Sequence, residues 1–200
     1  MTWLETLQQI APLTVVTAIA LFVAKEVTEG IRRYKSRSRK ASAIRILLVE
    51  EIERNNYSIH SLRHILRGTQ GWAELDPRVT FSLRTDASGR LHYRRNESDG
   101  GYAQSPMPNV HRKHFDRFLP DLAEVDSELF EQARKGYEKL AELDHIRNSL
   151  IALLAEKDLG DRDLEGFSQY ALHVIQDVEM GLGSLYTFCT GNSLEKKRMR

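Results

Sequence analysis

The sequence predicts a mainly α protein: an N-terminal transmembrane helix followed by an antiparallel helical bundle with a β-hairpin insertion. Three observations predict it. Residues 10–24 run without a single charge. Three later segments repeat apolar residues every three or four positions, the signature of one buried helix face. Between the first and second of these, residues 79–95 alternate with a period of two around a turn, a hairpin signal.

The first element is the run at 10–24, IAPLTVVTAIALFVA. A spanning helix prefers about 20 apolar residues. The flanks supply them, because Gln8 and Gln9 are uncharged and Lys25 can lay its stem along hydrocarbon. Trp3 to Lys25 covers about 33 Å of helix, close to a bilayer core of about 30 Å, with Trp3 as interfacial anchor. A cleaved signal peptide fits poorly, since residues 1–9 carry Glu5 and no basic residue. Residues 1–28 are therefore read as tail and transmembrane helix. Its packing face is Thr14, Thr17, Ala18, Ala20 and Ala24, where small residues let two helices approach closely and form a homo-oligomer.

A basic juxtamembrane segment follows at 29–40, with Arg32, Arg33, Lys35, Arg37, Arg39 and Lys40. By the positive-inside rule the short N-terminus lies outside and the C-terminal domain in the cytoplasm, a single pass through the cell inner membrane. The same six cations are the expected contact with membrane lipids, each worth about 1 kcal/mol near an anionic surface. A topogenic cluster accounts for this charge, and a net charge of +1 gives the whole chain no bias toward polyanions, so no direct nucleic-acid partner is expected.

The helical domain covers 41–191. Its first helix carries the stripe Ile44, Leu48, Ile52, Asn55, Ile59, Leu62 and Leu66, with Gly68 as its stop. Gly30 is the one strong breaker before it, so span and helix can run nearly continuously. Asn55 interrupts the stripe, as a polar residue that specifies helix pairing does. In the hairpin at 79–95, Val79, Phe81 and Leu83 lead to the turn at 86–89, and Leu91 and Tyr93 lead away. Residues 96–108, with Gly100, Gly101, Pro106 and Pro108, read as an exposed loop.

Helix resumes near His111 and pauses at Pro120. The strongest periodicity follows: Leu129, Ala133, Gly136, Leu140, Leu143, Arg147, Leu150 and Leu154, capped by Asp126 or Ser127. A last stripe from Leu164 through Ala171, Val178 and Leu185 ends near Gly191, before a basic tail at 192–200.

The chemistry-bearing residues are sparse. One cysteine, Cys189, excludes an internal disulfide and any zinc site with two thiolates. His60 and His64 share a helix face, but Ser61 follows His60, so H-E-x-x-H is absent and no metal is expected. Phosphate-binding glycine loops and the G-x-S-x-G elbow are missing too. No catalytic residue, cofactor or enzymatic activity is expected. Arg147 falls on an apolar stripe, so it should be paired with Glu50, Glu51 or Asp144; Glu51, Asn55, Asp144 and Arg147 form the expected polar pairing set of the bundle. Residues 25–45 balance at +6 and residues 121–165 at −7, which favours oriented docking to a partner.

With a span at 10–28, the sequence Leu47-Leu48-Val49-Glu50-Glu51-Ile52 and Asn55 on the next helix, and a helical remainder, the chain resembles small membrane-anchored effector proteins of bacterial phage-defence systems of the retron type. The resemblance implies an abortive-infection effector restrained by a protein partner encoded nearby, a reverse transcriptase complex, and perturbing the membrane when released. One span where a pore-former would use two makes oligomerisation necessary. The alternative is a non-enzymatic membrane-anchored adaptor or regulator that recruits a cytosolic partner through the bundle or residues 79–108.

Overall fold

The computed structural model describes residues 13–70, 78–156 and 161–194. In chain order the elements are α1 (Leu13–Gly68), β1 (Thr80–Thr85), β2 (Leu91–Asn96), β3 (Tyr102–Pro106), α2 (Lys113–Val125), α3 (Ser127–Ala155) and α4 (Asp161–Thr190). The described chain is thus mainly helical, with one small antiparallel sheet. It divides into two compact units, one up to Ala43 and the other from Ile44 onward.

The first unit is helix, and its residues from Thr14 to Lys40 are almost all exposed. Helix α1 runs through Gly30 unbroken. Among the described residues no helix is long and apolar enough to cross a membrane. Leu13 to Ala24 is the described part of an uncharged run that begins at Thr6 in the sequence. The next turns bring Lys25, Glu26 and Glu29, and the Lys25 ammonium lies 3.8 Å from the Glu29 carboxylate. The transmembrane reading of 1–28, and with it a single-pass inner-membrane placement with the N-terminus outside, is corrected accordingly. Residues 1–12, including Trp3, lie outside the described residues. The small-residue face expected there, Thr14, Thr17, Ala18, Ala20 and Ala24, is exposed.

The second unit is built on one core. Helix α1 contributes Ile44, Leu48, Ile52, Ile59, Leu62 and Leu66; α3 contributes Leu129, Ala133, Leu140, Leu143 and Leu150; α4 contributes Leu164, Ala171, Val178, Leu182 and Leu185. Each set repeats at three and four residues, so burying it requires a helix. Helix α3 opens on Asp126, whose Oδ1 accepts a 3.0 Å bond from the Leu129 amide. Arg45 of α1 holds the other oxygen of that carboxylate at 3.2 Å. Helix α4 ends where Gly191 turns to φ +73, the left-handed region that glycine enters without a Cβ penalty.

The sheet has order β1-β2-β3. Leu83 faces Tyr93 and Phe81 faces Arg95 across β1 and β2, and Tyr93 faces Ser105 across β2 and β3. Asp86 closes the first turn, its Oδ1 accepting from the amides of Ser88 and Arg90 at 2.8 and 2.9 Å. These bonds, with the Ser88 hydroxyl and His92, hold its carboxyl well below the usual carboxylate range, the Ser88 hydroxyl contributing most. The loop reading of 96–108 is corrected in part: Tyr102–Pro106 is the third strand. Gly100, at φ +89, makes the turn that returns the chain to β2.

A candidate interaction groove

After β3 the chain crosses α1 as an irregular strap, residues 107–112, before α2 begins. The Met107 amide donates to the Leu91 carbonyl of β2 at 2.9 Å and the Arg112 carbonyl accepts from the Asp116 amide at 2.9 Å; burying the strap groups between them unpaired would be costly. Side chains on one face of α1 satisfy them. Asn55 is fully buried; its Nδ2 donates to the His111 carbonyl at 2.7 Å and its Oδ1 accepts from the His111 amide at 2.8 Å. The Ser58 hydroxyl donates to the Asn109 carbonyl at 2.6 Å. From α3, Arg147 donates through Nε to the Pro108 carbonyl at 2.6 Å and through Nη2 to Asn109 Oδ1 at 3.2 Å.

Glu51, 1% exposed, completes the fastening. Its carboxylate accepts from the amides of His114 at 2.6 Å and Phe115 at 3.2 Å, and from the Tyr137 hydroxyl at 2.5 Å. Those amides are the orphan donors at the start of α2, whose own N-cap, Arg112, makes no side-chain cap. A carboxylate there also meets the positive end of the helix dipole. Burial first, then the bond to Glu51, pushes the Tyr137 hydroxyl far above its ordinary value. The Tyr137 ring stacks on Phe115, centroids 3.9 Å apart.

Of the four residues expected to pair in the bundle, Glu51 and Asn55 thus meet at the strap and Arg147 reaches it from α3. Asp144 stands apart, accepting from Asn148 Nδ2 at 3.3 Å. Arg147 does not pair with Glu50, Glu51 or Asp144. Glu50 is engaged by Arg54 at 2.5 Å, Glu51 by α2, and strap carbonyls claim the guanidinium instead.

The pinned strap and the outer face of α1 enclose a two-compartment groove. One compartment, about 230 Å³, is lined by Arg54, Tyr57, Arg90, Met107 and His111 among others. The other, about 270 Å³, is lined by His60, His64, Ile65 and Ser105. Tyr57, Ser61 and Pro106 belong to both. No aspartate or glutamate lines either compartment. Burial first, and then the Arg54 charge, holds the His111 imidazole below its ordinary value, with Glu51 opposing. Glu179 sits behind the second compartment, 2.5 Å from Arg63 and 4.0 Å from His60.

The groove residues Arg54, Tyr57, Ser58 and Arg90 escape a reading of sequence. Only Ser58 had a signal, continuing the 4,3 spacing of Glu51 and Asn55 on the otherwise apolar stripe. The groove histidines do not meet as ligands: among the described residues no group of three or more His, Cys, Asp or Glu can hold a metal ion. Cys189 is half-buried and burial pushes its thiol up to about 11, away from nucleophilic use. The cations Arg32, Arg33, Lys35, Arg37, Arg39 and Lys40 stand exposed along α1. Comparison with protein-family models, with curated proteins and with solved structures finds no match, so the groove is read from its own chemistry.

Proposed function

We propose that the chain is a non-enzymatic adaptor that captures an acidic segment of a partner protein in the groove between α1 and the strap. One observation carries this reading: the titratable lining of the groove is two arginines, three histidines and a tyrosine, with no carboxylate. Arg54 shares its guanidinium with Glu50, which lies outside the lining; the lining itself, in a chain whose net charge is +1, still favours anions over cations. Tyr57, Met107 and Pro106 supply apolar area beside the charges, as a peptide site requires. The strap is tied to α3 and α1 at Pro108 and Asn109 and to α1 at His111, so the groove is formed before a ligand arrives and ordering costs are small. The scaffold behind it is read as an antiparallel bundle of α1, α3 and α4, because a short connection between α3 and α4 favours antiparallel neighbours.

The membrane-perturbing mechanism required a spanning segment, and no described helix supplies one. What is retained from the resemblance to retron-type effectors is the class of partner: a complex encoded beside this chain is the source we propose for the acidic segment. Binding of a fluorescent Asp/Glu-rich peptide to the full chain, followed by anisotropy, tests the groove. The double variant Arg54→Glu, Arg90→Glu should weaken it by tenfold or more, about 1.4 kcal/mol. Equal affinity for a Lys-rich peptide, or an unchanged affinity in the variant, would sink the reading.

A further inference from the structure

The groove leaves the N-terminal part of α1 without a role. There Ile19, Leu21, Phe22, Val23, Val27 and Ile31 are between 51% and 67% exposed. Exposed apolar side chains scattered singly are ordinary, but this is a contiguous set on one helix. The six exposed cations from Arg32 to Lys40 follow at once. From residue 30 to residue 49 there is no acidic residue at all. The nearest carboxylate on the helix, Glu29, is neutralised in place by Lys25 at 3.8 Å and Arg33 at 3.3 Å.

We propose that residues 14–40 of α1 dock on an anionic lipid surface, the apolar end entering the hydrocarbon boundary and the cations lying among the headgroups, without crossing the bilayer. Neither half of the feature suffices alone. A nucleic acid would satisfy the cations and leave Leu21 and Phe22 in water. A second copy aligned in parallel would cover the apolar end and set the two basic runs side by side. An anionic bilayer surface is apolar and negative in adjoining layers, and so complements both parts of one helix. Among the described residues no helix is long and apolar enough to cross a bilayer, so the docking is placed at one surface. The proposal is independent of the groove, whose residues lie beyond Ala43.

The test is co-sedimentation of the full chain with phosphatidylcholine vesicles, with and without phosphatidylserine. Binding should require phosphatidylserine and fall as salt rises. Each cation near the surface contributes about fivefold, so Arg33→Gln, Arg37→Gln, Lys40→Gln together should weaken binding roughly 100-fold. Leu21→Ser, Phe22→Ser, at exposed positions that leave the core intact, should weaken it as well. Arg54→Glu, Arg90→Glu should not, so loss of one reading leaves the other standing. No binding to phosphatidylserine vesicles, equal binding to neutral ones, preference for duplex DNA over vesicles, or indifference to Leu21→Ser, Phe22→Ser would overturn the proposal. Self-association of the chain that replaces vesicle binding would overturn it too.

Discussion

Glu51 is a buried carboxylate with three donors aimed at it, and each depends on it. Replacing it by glutamine keeps the shape, but turns an NH2 group toward donors that need an acceptor. A hydrogen bond to a charged group contributes about 1.5–3 kcal/mol, and an unsatisfied buried donor costs a further 1–3. Glu51→Gln should therefore lower stability by about 2–4 kcal/mol in urea denaturation, while Glu50→Gln, an exposed half of an i,i+4 pair, should change it by under about 0.5. His111 gives a pH dependence with a definite sign. Its folded value lies below the ordinary 6.5, so the fold favours the neutral ring. The stability this contributes is full above that ordinary value and is lost as pH falls through the depressed one. The denaturation midpoint should drop on acidification across that window, and His111→Gln should flatten the drop. An acidic peptide in the groove should raise the His111 titration midpoint, read from its imidazole NMR signals, because an anion favours the charged ring.

At the scale of elements, the contact between α3 and α4 depends on what is missing at Gly136. A Cβ built there would lie 3.0 Å from Leu185 Cδ2 and 3.4 Å from Leu185 Cβ. Leu185 is 1% exposed and has little room to retreat. Gly136→Val should cost about 1–3 kcal/mol by overpacking. Gly183, on the same pair of helices, has nothing within 4 Å of its Cβ position, so Gly183→Ala should gain about 0.5–1 kcal/mol from helix propensity. Thermal and urea midpoints of the two variants should move in opposite directions. Elements that bury a stripe were legible: the 4,3 spacing from Leu129 to Leu154 marks α3, and Asp126 marks its start. Strand β3 was not, because four of its five residues are exposed and no apolar alternation survives to show it. The signals there, two glycines and two prolines, describe a turn and an end and say nothing of the strand between them. The candidate groove was legible in part: on α1 in the His60–His64 face and in Asn55, which anchors the strap, and beyond it in the insertion 79–108, read as a recruiting segment. Arg90 and the strap arrive from remote sequence, and no local pattern encodes that encounter.

At the scale of the whole chain, composition conceals more than it reports. A charge near zero conceals a basic stretch of α1 and an acidic region that includes all of α3, and these face different chemistry. The uncharged run that suggested a bilayer crossing ends at Ala24, and among the described residues no helix is long and apolar enough to cross. The two proposed surfaces ask for different ionic behaviour. Peptide capture by two arginines should weaken modestly with salt, and vesicle docking by six cations should weaken steeply, which separates the two in one titration.

The fastening of the strap also has a topological meaning. Glu51 and the His114 amide that it holds are 63 positions apart, and Asn55 and His111 are 56 apart, with the whole sheet lying between. The polypeptide is thus stapled shut behind the hairpin without a covalent link. A backbone cut at the exposed turn around Ser88 and Gly89 would leave two fragments still joined by Glu51, Asn55 and Ser58 and by the shared core. That turn is therefore a natural place to split the chain into complementing halves, or to insert a reporter between them.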